Sequence, residues 1–133
     1  MIVADTNLIA YLLIPGERTE FAQAVLRKDS AWVAPLLWRS EFRNVLALYM
    51  RQELFSFPDA LQYMEEAEEL MRGGEFRVKS PPVLRLAKRS GCAACDCEFA
   101  HLAEQLRLPL VTSDQKVLRA FPTTAVSLEA FAE

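Results

Sequence analysis

Short apolar segments that alternate with helical segments constrain the fold of this chain more than any other feature. Residues 2–4, 31–34 and 108–112 are short apolar runs, and the stretches between them carry apolar residues at helical spacing. This alternation is typical of domains built around a mainly parallel sheet. We therefore predict an α/β fold in which a mainly parallel sheet of four or five strands is flanked by helices.

Proline, glycine and short polar stretches divide the chain into these elements. Thr6 or Asn7 is expected to cap the first helix, and Pro35 is expected in the first turn of the third. Strands are predicted over residues 2–4, 31–34, 76–79, 108–112 and 125–128. Helices are predicted over residues 8–13, 19–28, 35–53, 58–72, 82–89, 95–106 and 114–120. The 133 residues contain no repeat or linker, and 52% of them are apolar, which predicts a single domain over residues 1–133.

Several functional classes are disfavoured by composition. No apolar run approaches the length that spans a bilayer, and Asp5 follows the first strand where a signal peptide would remain apolar, so we expect a cytoplasmic protein without a membrane segment. The net charge of −3 argues against a protein that coats nucleic acid without sequence preference, because such binding neutralises many phosphates. It does not exclude an enzyme that contacts nucleic acid locally.

Two acidic residues lie on helix faces where apolar residues are expected. Glu41 is four residues after Leu37 and four before Val45, in a stripe that continues to Leu48. A glutamate within an apolar stripe is costly unless it is paired or binds a cation. Asp96 lies on the inner face of the later helix, in its first turn, where the helix dipole favours a negative charge. We predict that both side chains serve a buried polar site.

Two further acidic residues follow strands. Asp5 follows the first strand, and Asp114 follows the fourth by two residues. In open parallel sheets, ligands bind beyond the carboxyl ends of the strands, so these residues are expected to meet Glu41 and Asp96 there. Like charges in one site repel unless protons or a cation hold them, and oxygen ligands without His or Cys select Mg²⁺ or Mn²⁺. The four acids together therefore predict a metal site that can activate water against a phosphodiester.

Each acid also has a simpler interpretation. Asp5 and Asp114 are well placed to cap helices, and this role is as plausible for either residue alone as catalysis. Asp96 is of a type common in first turns, and Glu41 can extend from the edge of a stripe into water. The metal site is favoured only because all four occur together.

The four acids and the residues around them resemble the PIN-domain family. The segments concerned are Asp5-Thr6-Asn7, Ser40-Glu41-Phe42-Arg43-Asn44, Cys95 to Ala103, and Leu110 to Asp114. Their order and spacing agree with the family over nearly the whole chain. In size and single-domain organisation the chain is most similar to the VapC-type toxins of toxin–antitoxin pairs.

This resemblance implies an endoribonuclease that depends on one or two Mg²⁺ or Mn²⁺ ions. It also implies a homodimer, a cognate antitoxin protein as inhibitor, and structured RNA such as tRNA or rRNA as substrate. By position, Asp5, Asp96 and Asp114 are expected to bind the metal, with Glu41 acting directly or through water. Cleavage would leave a 5′-phosphate and a 3′-hydroxyl. The side chains expected to orient the carboxylates by hydrogen bonds are Asn7, Thr112 and Ser113.

The chain departs from the family at a cysteine cluster. Cys92, Cys95 and Cys97 surround the third acid, with His101 one turn later. On a helix, residues 95 and 97 point to roughly opposite sides, so one metal ion cannot collect them without unwinding the helix. We interpret the cysteines as packing residues and His101 as a surface or packing residue, which also disfavours a nucleophilic Cys or Ser mechanism.

Two other functions compete with the ribonuclease. A phosphotransfer domain also has an aspartate at a strand end, and Asp5 would be its nucleophile. The phosphatase form of such domains has a second aspartate at the position that Asn7 occupies here. A PIN-like module kept only for protein binding is the other alternative. If the protein is such a module, metal ions should neither stabilise it nor support RNA cleavage.

Overall fold

Five parallel strands form the central sheet in the computed structural model, which describes residues 1–133. They are β1 (Ile2–Ala4), β2 (Trp32–Pro35), β3 (Glu75–Phe76), β4 (Leu110–Val111) and β5 (Ala125–Val126). Their order across the sheet is β3-β2-β1-β4-β5, and every neighbouring pair is parallel. The α/β fold with a parallel sheet that the sequence predicts is confirmed.

Eight helices connect and cover the strands. They are α1 (Thr6–Leu13), α2 (Thr19–Lys28), α3 (Trp38–Arg51), α4 (Phe57–Leu70), α5 (Ser80–Ser90), α6 (Ala94–Leu106), α7 (Gln115–Ala120) and α8 (Leu128–Ala132). Helices α1–α4 and α8 pack against one another, while α5 packs against α6, which lies across β1, β2 and β4. Right-handed crossovers in this strand order put these two groups on opposite faces of the sheet. None of the helices has the length and apolar character needed to cross a membrane.

The strand order reverses between β1 and β4, and this reversal positions the candidate site. All three residues of β1 are fully buried, as expected for a central strand covered on both faces. The chain leaves β1 toward β2 and leaves β4 toward β5, so the connections diverge and open a crevice at the carboxyl ends of the two central strands. Such crevices are where open α/β sheets bind ligands.

The third helix begins later than predicted. Pro35 is the last residue of β2 rather than part of the first helical turn, and α3 starts at Trp38. The backbone N–H groups of Ala34 and Leu36 donate to the carbonyl oxygens of Gly74 and Phe76, at 2.8 and 3.0 Å. The N–H that proline lacks is therefore not needed for pairing with β3, and proline is tolerated in the strand.

The rotation of α3 also differs from the predicted one. Leu48 was expected in the buried stripe with Glu41, but its side chain is 44% exposed. The ring centroids of the buried Trp38 and Phe42 lie 6.3 Å apart, and aromatic side chains bury more apolar surface than the leucine that they displace. Glu41 consequently lies beside the buried face, only partly exposed. The residues of α3 that are buried are Trp38, Phe42 and Leu46.

A charged network holds the short edge strand β3. The Arg39 guanidinium donates from Nε and Nη2 to the two carboxylate oxygens of Glu75, at 2.5 and 2.9 Å, and from Nη1 to Glu68 at 2.6 Å. Trp38 Nε1 also donates to Glu75, at 3.0 Å. These bonds hold the pKa of the Glu75 carboxyl below its usual value and tie β3 to α3 and α4. The charge of Arg39 is therefore used within the fold.

Helix α8 is not expected from the sequence. The helix has only five residues, too few for an apolar period to be visible. Ser127 caps it by accepting a hydrogen bond from the backbone N–H of Ala130 at 3.1 Å, and Leu128 is fully buried. Tertiary packing against α2 accounts for this helix, since a helix so short has no stability of its own.

Candidate active site

Asp5 and Asp114 reach the crevice because each caps the helix that follows its strand. Asp5 Oδ1 accepts a hydrogen bond from the backbone N–H of Thr6 at 2.8 Å. Asp114 Oδ1 accepts from the backbone N–H groups of Lys116 and Val117, at 2.9 and 3.2 Å. The capping role considered for both residues is therefore present, and Asp5 rather than Thr6 or Asn7 caps α1. Capping uses only Oδ1, so Oδ2 of each carboxylate remains for other partners.

Thr112 links the two aspartates. Its side chain is fully buried, and its hydroxyl donates to Asp5 Oδ2 at 2.6 Å. The Thr112 hydroxyl oxygen also accepts from Asn7 Nδ2 at 3.2 Å and from the backbone N–H of Asp114 at 3.0 Å. A hydroxyl has one hydrogen to donate and two lone pairs, so all of its hydrogen-bonding capacity is used. Thr112 thus fixes the orientation of Asp5 relative to the start of the Asp114 turn.

Asn7 and Ser113 complete this hydrogen-bonded corner in different ways. Asn7 Nδ2 also lies 3.4 Å from Asp5 Oδ2, and Asn7 Oδ1 accepts from the backbone N–H of Ser113 at 3.3 Å. The Ser113 hydroxyl contacts the Tyr11 hydroxyl at 3.1 Å and reaches no carboxylate. Of the three side chains predicted to orient the acids, Asn7 and Thr112 contact Asp5, whereas Ser113 contributes its backbone.

Glu41 is positioned by a residue that sequence reasoning missed as part of the site. The Thr6 hydroxyl, in a side chain only 6% exposed, donates to Glu41 Oε1 at 2.6 Å. This bond connects the first residue of α1 to α3 and keeps Glu41 at the crevice. Thr6 was considered only as a helix cap, although a polar residue directly after Asp5 at the start of a buried helix was a signal for such a role.

Asp96 lies in the first turn of α6 and faces the same crevice. It is partly buried, and neither a hydrogen-bond donor nor a basic side chain pairs with its carboxylate. Burial and the negative charge of Asp114 raise its pKa, and the positive charge of Lys116 opposes that effect. Asp96 therefore lies near other acids, and both of its carboxylate oxygens are free to coordinate a ligand.

The charges of the four acids are close enough to influence one another. Burial raises the pKa of Asp5 from 3.8 to about 6, the hydrogen bonds from Thr112 and Thr6 oppose this, and the charges of Asp96 and Asp114 add to it. Burial also raises the pKa of Glu41, whose bond from Thr6 lowers it while the charges of Asp5 and Asp96 raise it further. No Lys or Arg forms an ion pair with any of these acids.

The donor set fits a hard divalent cation in its chemistry. All of its donors are carboxylate oxygens, and no basic side chain offsets their mutual repulsion. Binding of Mg²⁺ or Mn²⁺ would relieve that repulsion. No group of three His, Cys, Asp or Glu side chains is drawn together closely enough to hold an ion as the side chains stand. The fold thus brings the acids to one edge without closing them into a cage, and ligation needs side-chain rotation.

Other polar residues near the acids were not assigned to the site from the sequence. Glu98 is partly buried two residues after Asp96, and its charge contributes to the raised pKa of Glu41. Cys95 is exposed, whereas Cys92 and Cys97 are buried and Cys97 Sγ lies 3.9 Å from the Cys92 carbonyl oxygen. The buried pair packs between α5 and α6, and only Cys95 borders the crevice.

Comparisons with known proteins agree with this geometry. A family model described as PIN domain matches residues 2–122. Ribonuclease VapC3 of Pyrobaculum aerophilum is 28% identical over 91% of this chain and 95% of its own length. The crystal structure of PAE2754 from Pyrobaculum aerophilum superposes with a TM-score of 0.77 at 20% identity, covering 98% of this chain and 85% of that one. A toxin–antitoxin complex from Klebsiella pneumoniae gives a TM-score of 0.70 at 18% identity, over 96% of this chain and 98% of that one.

Proposed function

This chain belongs to the PIN-domain family, and on that premise we propose that it is a metal-dependent endoribonuclease, the toxin of a toxin–antitoxin pair, acting on cytoplasmic RNA. The observation that carries the proposal is the gathering of Asp5, Glu41, Asp96 and Asp114 at the carboxyl ends of β1 and β4 without a basic partner. The similarity to a ribonuclease over nearly the full length of both chains supports it.

The chain's own residues divide the work of hydrolysis. Asp5, Asp96 and Asp114 would hold one or two Mg²⁺ or Mn²⁺ ions, which supply Lewis-acid stabilisation of phosphodiester charge when bound. Thr112 and Asn7 hold the Asp5 carboxylate in one orientation. Glu41, fixed by Thr6 and made more basic by its surroundings, would accept a proton from the attacking water.

Cleavage by the purified full chain tests this proposal. We expect structured RNA of the tRNA or rRNA class to be cut in the presence of Mn²⁺ or Mg²⁺, leaving 5′-phosphate ends, and not in the presence of EDTA. Asp5→Asn and Asp96→Asn should each lower kcat by at least about 100-fold, because single electrostatic groups in active sites contribute that much. Glu20→Gln, which changes an exposed acid in the first turn of α2, is the matched control. Equal cleavage by all variants would exclude the assignment.

The proposed partners are a cognate antitoxin and a second copy of the chain. A structure of the same fold described as a toxin–antitoxin complex supports the antitoxin. Apolar side chains at the end of α3 and the start of α4 are exposed and suit coverage by a protein: Leu48, Leu54, Phe57 and Leu61. Light scattering after size exclusion should give twice the 15.1 kDa chain mass for a homodimer. A short DNA-binding reading frame directly upstream of the gene should encode the antitoxin.

A further inference from the structure

The basic residues near the acids differ in whether their charge is available. Arg39 is engaged by Glu75 and Glu68 and has no charge to offer a ligand. Arg43 and Lys116 are exposed, and neither has a carboxylate within 4.0 Å. A free cation beside a group of carboxylates without an ion pair is suited to an anionic ligand.

Arg43 lines an open groove that leads to the acids. The groove has a volume of about 570 Å³ and runs between α3 and the first turn of α6. Glu41, Arg43 and Asn44 line it on the α3 side, and Cys95, the neighbour of Asp96, lines it on the other. Besides Glu41, the lining offers the cation of Arg43 and the neutral polar groups of Ser40 and Asn44, which can contact a strand that carries charged and polar groups.

Lys116 lies at the opposite end of the acids. Its backbone N–H donates to the Asp114 carboxylate at the start of α7, so the residue lies in the turn that this acid caps. Its ammonium is the one basic group whose charge lowers the pKa of Asp96. Lys116 therefore lies on the α6–α7 side of the site, away from the α3 groove.

Hydrogen bonds give the order of the acids along the crevice. Glu41 accepts from Thr6, the neighbour of Asp5, and Thr112 links Asp5 to the backbone of Asp114, which Lys116 follows by two residues. Arg43 lies beside Glu41 at the first end. The four carboxylates are thus bracketed by two unpaired cations, in a molecule whose net charge is −3.

We propose that Arg43 and Lys116 bind the phosphates of a single RNA strand on the two sides of the phosphodiester that is cut. This inference rests on the proposed ribonuclease function and identifies the residues that position its substrate. The strand would enter along the groove beside α3, cross the acids and leave past α7. Both residues are positioning residues, since they would hold flanking phosphates and not the reacting atoms.

Binding of RNA without cleavage tests the two cations directly. A fluorescein-labelled single-stranded oligoribonucleotide is titrated with the full chain in EDTA at 50 to 200 mM KCl, and anisotropy gives the dissociation constant. We expect Arg43→Gln and Lys116→Gln each to reduce the slope of log affinity against log salt by about 0.7, the value for one phosphate contact to a single strand. Arg43→Lys should retain most of the slope.

Matched controls are available on the same helices. Arg51 on α3 and Arg119 on α7 are exposed and form no ion pair, so Arg51→Gln and Arg119→Gln remove the same charge elsewhere. Binding that is unchanged in Arg43→Gln and Lys116→Gln, or weakened equally by the controls, would overturn the inference. Failure of the wild-type chain to bind RNA at 50 mM KCl would overturn it as well.

The exposed thiol at the groove gives an independent readout. Cys95 lines the groove, while Cys92 and Cys97 are 5% and 0% exposed, so maleimide should label Cys95 selectively in the folded protein. Saturating RNA in EDTA should slow this labelling several-fold in the wild-type chain and much less in Arg43→Gln. Labelling that RNA does not slow would exclude the groove as the path of the strand.

Cleavage kinetics separate this inference from the proposed function. With Mn²⁺ present, Arg43→Gln and Lys116→Gln should raise KM and leave kcat nearly unchanged, since they remove binding that is the same in the ground state and the transition state. Salt-dependent binding through the two cations without any cleavage would refute the ribonuclease and leave the binding surface standing. Cleavage with the same KM in the wild-type chain and in both variants would support the ribonuclease and refute the binding role of the two cations.

Discussion

Thr112 shows how one buried hydroxyl sets the geometry of the acidic edge. Its single hydrogen is committed to Asp5, and its lone pairs to Asn7 and the backbone of Asp114. The bond to Asp5 lowers the pKa of a carboxyl that burial would otherwise leave still harder to ionise. A residue outside the set of acids therefore lowers the pH at which Asp5 ionises.

Replacement of Thr112 by valine should shift the pH dependence of cleavage upward. Without the hydroxyl bond the pKa of Asp5 rises above about 6, so the pH at which kcat/KM reaches half its plateau should rise as well. The protein should also lose about 1–3 kcal/mol of unfolding free energy, because buried partners are left unsatisfied. Thr112→Ser, which keeps the hydroxyl, should restore the wild-type profile, and an unshifted profile in Thr112→Val would contradict the role.

Asp5 should make the metal-free protein less stable as pH rises. The folded-state pKa is raised from 3.8 to about 6, so the folded chain binds the proton more tightly than the unfolded chain. Its stabilising contribution is complete below 3.8 and is lost as pH increases through about 6, by at most about 3 kcal/mol. Urea unfolding in EDTA between pH 4 and 7 should show this decline in the wild-type chain and a smaller one in Asp5→Asn. Parallel curves for the two proteins would contradict it.

At the scale of elements, the edge strand β3 depends on one close approach of two backbones. Gly74 is buried directly before β3, and its N–H and carbonyl groups bond Met71 and Ala34. A Cβ atom at Gly74 would collide with the carbonyl oxygen of Trp32 in the neighbouring strand. Gly73, by contrast, is needed for its left-handed φ of 78°. The pair that marks the end of a helix in the sequence thus has two different physical functions.

Substitution of Gly74 by alanine should destabilise the fold. The added methyl group must push β3 away from β2, and overpacking of this kind costs about 1–3 kcal/mol. The control is Gly16→Ala, where a Cβ atom would meet only the Ile14 carbonyl oxygen at 4.0 Å and the smaller backbone entropy of the unfolded chain favours alanine. Chemical denaturation of both variants measures the difference. Equal stabilities would show that β3 moves freely.

At the scale of the whole molecule, separate elements deliver negative charges to one edge at a cost to stability. The chain places Asp5 after β1, Glu41 on α3, Asp96 on α6 and Asp114 before α7, and no basic side chain pairs with them. The raised pKa values of Asp5, Glu41 and Asp96 reflect burial and the repulsion of neighbouring carboxylates. If the proposed metal site is correct, binding of a divalent cation at this edge should relieve the repulsion and stabilise the protein.

Mn²⁺ should therefore raise the melting temperature of the full chain at pH 7. A concentration 100 times the dissociation constant adds about 2.7 kcal/mol of stability by mass action. Asp96→Asn should lose most of the increase, while Glu65→Gln, an exposed acid on α4, should keep it. A wild-type melting temperature that is the same in Mn²⁺ and EDTA would favour a PIN-like module without catalytic function.

Features that depend on local chemistry were predictable, and features that depend on competition between distant surfaces were not. The apolar runs at β1, β2 and β4 and the acids after β1 and β4 follow from residues adjacent in the chain. The predicted rotation of α3 was wrong because the rotation depends on how much area Trp38 and Phe42 bury against other elements. Periodicity alone does not compare the surface that an aromatic ring buries with the surface that a leucine buries. Thr6 was missed as a partner of Glu41 because the two are 35 positions apart.

The sequence by itself determined that a parallel sheet forms and that acids follow its strands, since hydrophobic alternation and the end of a strand are local properties. Only the tertiary structure decided that Thr112 and Thr6 hold Asp5 and Glu41. It also decided that Arg39 forms ion pairs while Arg43 and Lys116 form none, and that the charges of the acids interact. The physical reason is that hydrogen bonds, burial and Coulomb interactions depend on distance in space, and the order of strands across the sheet sets those distances.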